Sequence, residues 1–121
     1  MMRLKKRAEF KSVARGVRAE RPAFVLQARC EPAVETPPRF GFTVTKKTGN
    51  SVERNRIRRR LKAAVDERLA GARSGCAYVL VGRRAALSRS YADLLGDLEL
   101  AFERVHNAVD RPAPRRRAPK R

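Results

Sequence analysis

A chain of 121 residues has room for one hydrophobic core and not for two. Lys and Arg total 30 against 12 Asp and Glu, and a formal charge of +18 resists compaction unless a polyanion relieves it, which points to nucleic acid first and to a membrane surface second. No apolar run approaches the ~20 residues that span a bilayer, and two cysteines with a single histidine, His106, cannot supply the four ligands of a structural zinc site.

The opening residues, MMRLKKRAEFKSVARG, carry charge without the apolar stretch of a secretion signal, so a cytoplasmic location and reduced thiols at Cys30 and Cys76 are expected. Leu4 to Val17 reads as a short helix with a thin apolar stripe through Leu4, Ala8, Phe10 and Val13, stopped by Gly16. Pro22 breaks the chain, and AFVLQARC, Ala23 to Cys30, alternates as a strand with Phe24, Leu26 and Ala28 on one face. A Pro-rich loop, with room for one further short strand, leads to RFGFTVT, Arg39 to Thr45, where Phe40, Phe42 and Val44 alternate. Gly49, in the loop that follows, is read as a position for a positive φ. Asn50 with Glu53 forms a capping-box pattern, opening a helix that runs to about Leu69 or Ala70 with Gly71 as its stop. CAYVLVG, Cys76 to Gly82, suits a buried strand. A last helix spans about Tyr91 to Val109, with Leu94, Leu98, Phe102, Val105 and Val109 at helical spacing and His106 taken as a surface or boundary residue. The order α-β-β-(β)-α-β-α describes an α+β fold, helices packed on a small central sheet, over residues 1–109. Residues 110–121, rich in Pro and Arg, read as a disordered tail.

The segment TKKTGNSVERNRIRRRLKAAV, Thr45 to Val65, concentrates the charge: eight of its 21 residues are Lys or Arg, and Glu53 is its one carboxylate. At roughly 100° per residue, Ile57, Leu61, Val65 and Leu69 fall on one side of a helix. Asn55, Arg56, Arg59, Arg60 and Lys62 take the opposite arc, and Arg54 and Arg58 lie nearer the apolar side, in the early turns. A solvated helix face ordinarily intersperses Glu with its cations. This one does not, so it reads as a polyanion-binding face, with Lys46, Lys47 and the free N–H groups near Asn50 and Ser51 adding to the attraction.

These residues, GFTVTKKTGNSVERNRIRRRLK, closely resemble the signature of the bacterial ribonuclease P protein subunit: Arg54-Asn55-Arg56 followed by Arg58, Arg59 and Lys62, preceded by Lys46-Lys47, Gly49-Asn50 and Val52. The resemblance extends to EFKSVARG and to the spacing of the last strand and helix, covering about Leu4 to Val109. It implies a protein cofactor of a ribozyme that removes the 5′ leader from precursor tRNA, with a large catalytic RNA and its bound Mg²⁺ carrying the chemistry and the protein contributing no catalytic or metal-binding residue. It also implies a left-handed strand–helix–strand crossover, against the generic right-handed preference.

Carried over to this sequence, Arg54, Asn55, Arg56, Arg58, Arg59 and Lys62 face the catalytic RNA, and Lys46 and Lys47 lie close to the leader path. Phe10 and Val13 belong to a leader groove between the first helix and the sheet. At Ala14 and Gln27 this chain departs from the aromatic-rich form of that groove, which shifts the expected leader contact from stacking toward charge. Three rival readings differ in kind. A ribosomal-protein-like structural RNA binder shares the charge and fold but not the Arg-Asn-Arg pattern. A membrane-surface protein needs the apolar helix face that the core uses. A protein nuclease needs a general acid–base pair, and His106 has no second group to pair with.

Overall fold

The longest continuous apolar run, CAYVLVG, becomes the middle of a sheet, as suits a strand covered on both faces. In the computed structural model, which describes residues 1–111, this is β5 (Cys76–Gly82). The other strands are β1 (Met2–Arg3), β2 (Val17–Glu20), β3 (Phe24–Cys30) and β4 (Arg39–Thr43), and the five lie in the order β1-β4-β5-β3-β2. β4 runs parallel to both β1 and β5, while β3 pairs antiparallel with β5 and with β2. The helices are α1 (Arg7–Ala14), α2 (Ser51–Glu67) and α3 (Tyr91–Asp110), with α2 as the crossover between the parallel strands β4 and β5. No helix among the described residues is long and apolar enough to cross a membrane.

Alternation divides the side chains between the two faces. Phe24, Leu26 and Ala28 of β3, Phe40 and Phe42 of β4 and Tyr78 and Leu80 of β5 join the apolar stripes of α2 and α3 in the main core. Ala77 and Val79 point the other way and meet Leu4 and Val13 in a smaller core beneath α1.

The first helix is shorter than its apolar pattern suggests, and strands flank it. Met2–Arg3 extends the sheet beside β4, and Val17–Glu20, past Gly16, pairs with β3. The Pro-rich loop holds no strand; proline lacks the N–H that a ladder requires. α2 ends at Glu67 and passes through a 3-10 turn, Leu69–Gly71, that keeps Leu69 against the core. The expectation for the tail falls almost wholly outside the described residues.

Two further expectations are corrected. His106 is buried: its Nε2 lies 2.6 Å from the Tyr78 hydroxyl, and its ring stacks on Phe102. The helical repeat through Phe102 and Val105 carries position 106 inward, and a fully buried Tyr78 needs a partner for its hydroxyl. Burial, helped by the nearby Arg73 cation, pushes the His106 imidazole below its usual range. Cys30 and Cys76 are joined rather than free. The β3–β5 register sets them directly opposite, with Cα atoms 3.9 Å apart and sulfurs at bonding distance, 2.01 Å.

The interior also holds one charged cluster. Asp97 of α3 is 3% exposed and accepts from Arg89 at 2.8 and 3.0 Å and from Arg21 at 3.3 Å. Burial works to raise its carboxyl, and the two guanidiniums together outweigh that and hold it below the ordinary range.

Leu61 is fully buried between α2 and the sheet. Leu61→Ala should therefore destabilise the fold by about 2–5 kcal/mol, measured by denaturant unfolding; no measurable loss would mean that α2 packs through another face. For the cysteines, thiol titration of denatured, unreduced protein should find no free sulfhydryl. Reduction should lower stability by about 2–4 kcal/mol, and a titration that finds two free thiols would restore the reduced pair.

Candidate nucleic-acid interface

The start of α2 is built by local chemistry. The Asn50 side chain accepts from the Glu53 N–H at 2.8 Å, and the Glu53 carboxylate accepts from the Asn50 N–H at 3.0 Å, closing the capping box. The Asn50 N–H is therefore not free for an anion. Glu53 has a second partner, remote in sequence. Arg84, in a 3-10 turn (Arg84–Leu87) after β5, donates to both carboxylate oxygens at 2.8 and 3.1 Å and to the Thr48 carbonyl at 3.0 Å. The Arg84 hydrogen bonds, followed by the Asn50 N–H, hold the Glu53 carboxyl down at about 2.

Gly49 has a φ of 167°, extended backbone open to any residue, so it is not there for a positive φ. Its role is close approach: a Cβ would lie 2.5 Å from the Glu53 carboxylate and 2.9 Å from the Arg84 guanidinium.

The cations of α2 divide by what they touch. Ile57, Leu61, Ala64 and Val65 are buried, which turns Asn55, Arg56 and Arg59 outward as exposed residues. Arg56, Arg59, Lys62, Lys46 and Lys47 have no carboxylate partner within salt-bridge distance among the described residues. Arg58 donates to the Asn55 side chain at 2.8 Å. Arg54 is half-buried and donates to the Gly49 carbonyl at 3.1 Å, while Arg60 donates to the Ala86 carbonyl. Arg60 is thus not on the arc opposite the core. It follows Ile57 by three positions, which makes the two neighbours on the helix surface.

On the reverse face of the sheet, a groove of about 360 Å³ runs between α1 and the strands, lined by Arg7, Phe10, Lys11, Ala14, Gln27, Thr43, Val79 and Val81. Phe10 forms part of its wall. One side of the ring lies on Gly41, where a Cβ would come within 2.4 Å of it. Ala14 and Gln27 both line the groove, so the two departures from the aromatic-rich pattern fall together on one surface. Val13 does not line it: at 2% exposure it is packed beneath α1. Lys46 and Lys47 follow the groove residue Thr43 by three and four positions, in a 3-10 turn (Lys46–Thr48), and both are exposed.

Sequence reasoning missed Arg7, Lys11 and Thr43 in the groove. The spacing of Arg7, Phe10, Lys11 and Ala14, at three- and four-residue steps on one helix, was the available signal. It missed Arg84 as well, for which sequence offers no local signal. No group of three or more His, Cys, Asp or Glu side chains that could hold a metal ion lies among the described residues.

Fold and site together define a small basic α+β protein with a cation-faced crossover helix on one side of its sheet and a groove on the other. A family model described as ribonuclease P matches residues 1–106. The ribonuclease P protein component of Gluconacetobacter diazotrophicus is 50% identical over 109 residues, covering 85% of this chain and 90% of that protein. Among solved structures, a variant of the Staphylococcus aureus RNase P protein has the same fold, with a TM-score of 0.72 at 24% identity over 86% of this chain and 87% of that one. The Thermotoga maritima RNase P protein gives 0.71 at 19% identity over 85% and 97%. The chain belongs to the ribonuclease P protein family, whose members are protein components of the endoribonuclease that processes tRNA.

The pairing at the start of α2 has a measurable pH signature. The Glu53 carboxyl is depressed in the folded state, so its pairing stabilises above the ordinary value of 4.5 and is lost as pH falls through about 2. Carbon NMR titration should find its midpoint near 2, and Arg84→Ala should raise it toward 4.5, with the Asn50 N–H still holding it below that value. An unmoved midpoint would separate Glu53 from Arg84.

Proposed function

We propose that this chain is the non-catalytic protein subunit of ribonuclease P. In this reading it acts in the cytoplasm, binds the catalytic RNA through the outward face of α2, and holds the 5′ leader of precursor tRNA along the groove between α1 and the sheet. The observation that carries the proposal is the exposure of Arg56 and Arg59 without acidic partners, beside the equally unpartnered Lys46 and Lys47. Such a surface is unfavourable alone and favourable against phosphate, where each neutralised charge releases counterions. Ordinary solvent exposure does not account for it, because the one carboxylate in the segment is already taken by Arg84.

The chain's own carboxylates do not fit as holders of Mg²⁺. Asp97 is spent on two arginines and Glu53 on Arg84, and neither belongs to a cluster of ligands. In the proposal the ion therefore belongs to the RNA, and the protein binds and orients. Arg56, Arg59 and Lys62 supply attraction at the RNA, Asn55 a hydrogen-bonding side chain, and Arg54, Arg58 and Arg60 hold the helix start and its turns in place. Arg7 and Lys11 line the groove with positive charge, and Lys46 and Lys47 continue it past the end of β4.

The test is precursor-tRNA cleavage at low Mg²⁺ by a bacterial ribonuclease P RNA, with and without this protein. The protein should stimulate the RNA and have no activity alone; steady turnover by RNA-free protein would overturn the proposal. Arg56→Ala with Arg59→Ala should weaken binding to the RNA and flatten its salt dependence by about one unit per lost phosphate contact, with the fold intact. Unchanged affinity and slope would remove α2 from the interface.

Leader binding should lean on charge. A stacked base gains roughly 1–3 kcal/mol from an aromatic platform, but Ala14 and Gln27 provide none and one side of Phe10 is covered by Gly41. The holoenzyme's preference for precursor over mature tRNA should fall steeply with salt, and Lys46→Ala with Lys47→Ala should reduce it more than Phe10→Ala does. The opposite ranking, in dissociation constants across a salt series, would assign the leader to stacking.

A further inference from the structure

Arg84 lies outside the basic helix and outside the groove, yet it is tied to the proposed RNA-binding surface from three directions. Its two terminal nitrogens engage both oxygens of Glu53, at 2.8 and 3.1 Å, and one of them also reaches the Thr48 carbonyl at 3.0 Å. Thr48 closes the turn that carries Lys46 and Lys47, and Glu53 closes the first turn of α2. The 3-10 turn that carries Arg84 is tied to α2 a second time, since Arg60 donates to its Ala86 carbonyl. Glu53 and Arg60 are seven residues apart, about 10 Å along the helix, so α2 is gripped at two points two turns apart.

We infer that Arg84 is a positioning residue for RNA binding: it holds and neutralises Glu53, the single carboxylate in the surface formed by the lysine turn and the start of α2, without itself contacting RNA. The inference rests on the reading of α2 as the RNA-facing helix. Glu53 is useful to the fold as the partner of the Asn50 N–H, but uncovered it places a negative charge among the cations that meet phosphate. Arg84 removes that conflict. Its planar fork matches the carboxylate with two hydrogen bonds while one nitrogen also holds a backbone carbonyl, an arrangement a lysine ammonium cannot reproduce. Gly49 makes the close approach possible, because a side chain there would collide with both partners.

The test is a double-mutant cycle on the dissociation constant of the full chain for a bacterial ribonuclease P RNA, at fixed salt. Its members are the parent, Arg84→Ala, Glu53→Gln and the double variant. Glutamine keeps the capping box and the side-chain shape while removing the charge. Arg84→Ala should weaken binding about tenfold, Glu53→Gln should leave it near the parent value, and the double variant should regain most of the loss, a coupling of the size expected for a directly paired couple. A residue that touches RNA would instead cost the same factor in both backgrounds, and a residue that only stabilises the fold would show no rescue; either result overturns the inference, as does full affinity in Arg84→Ala. If Arg84→Ala does not fold, Arg84→Gln, which keeps a long polar side chain without the charge, takes its place under the same criterion. The Arg56→Ala, Arg59→Ala variant separates the two levels. If it binds like the parent, the RNA-facing reading of α2 fails and the role of Arg84 with it. If it weakens binding while the cycle is additive, only the role of Arg84 fails.

Discussion

Much of this molecule depends on the burial of one stripe of α2. Ile57, Leu61 and Val65 are fully enclosed against the sheet, and Ala64 nearly so. On a helix that commits one side, the opposite side has no freedom left. Asn55, Arg56 and Arg59 point away from the sheet because the aliphatic residues between and after them point into it. The apolar repeat stabilises the domain and also aims its charge, so a segment that looks like a run of cations is equally a part of the core.

The sheet extends the same division. β4 alternates Phe40 and Phe42 toward the main core with Gly41 and Thr43 toward α1, and each set does a different job. Phe40 contributes to a cluster in which it stacks on Tyr78 at 5.0 Å and Phe102 meets Tyr78 edge-on at 5.3 Å. Gly41 lets Phe10 settle on the strand, and Thr43 forms part of the groove beside it. Tyr78 closes the interior by donating or accepting at His106 and by accepting from the Arg73 N–H at 3.0 Å. Burial raises the tyrosine hydroxyl's pKa above its usual value, keeping that hydroxyl neutral and able to bridge both partners.

What was legible in the sequence had a period or a local cap. α2, α3, β3, β4 and β5 all carry one, and the Asn50–Glu53 box marks its helix start correctly. β2 alternates too, Val17 and Ala19 inward with Arg18 and Glu20 outward, but only over four residues directly after Gly16, where it merges with the helical pattern. β1 has two residues, too few for any period. The remaining misses are matters of register and distance along the chain. Cys30 and Cys76 are 46 residues apart and meet because β3 and β5 pair as they do. Glu53 finds Arg84 across 31 residues. Among the site residues, the outward placement of Arg56 and Arg59 followed from the helical period, whereas the inward commitment of Arg54 and Arg60 depends on carbonyls whose positions only the tertiary fold determines.

The turn carrying Lys46 and Lys47 leaves the end of β4, a strand whose two faces look toward the groove and toward α2. The groove and the outward face of α2 are otherwise separated by the sheet and by the helix itself. A polynucleotide assembly that engaged both would find the lysine turn at a corner between them. With one surface occupied, the other would be met at a high effective concentration set by the short span between them, so that two individually weak attachments would act as a chelate. In such an arrangement the rigidity of the turn matters as much as its charge, because slack at the corner dilutes the second contact without changing a single residue that makes it.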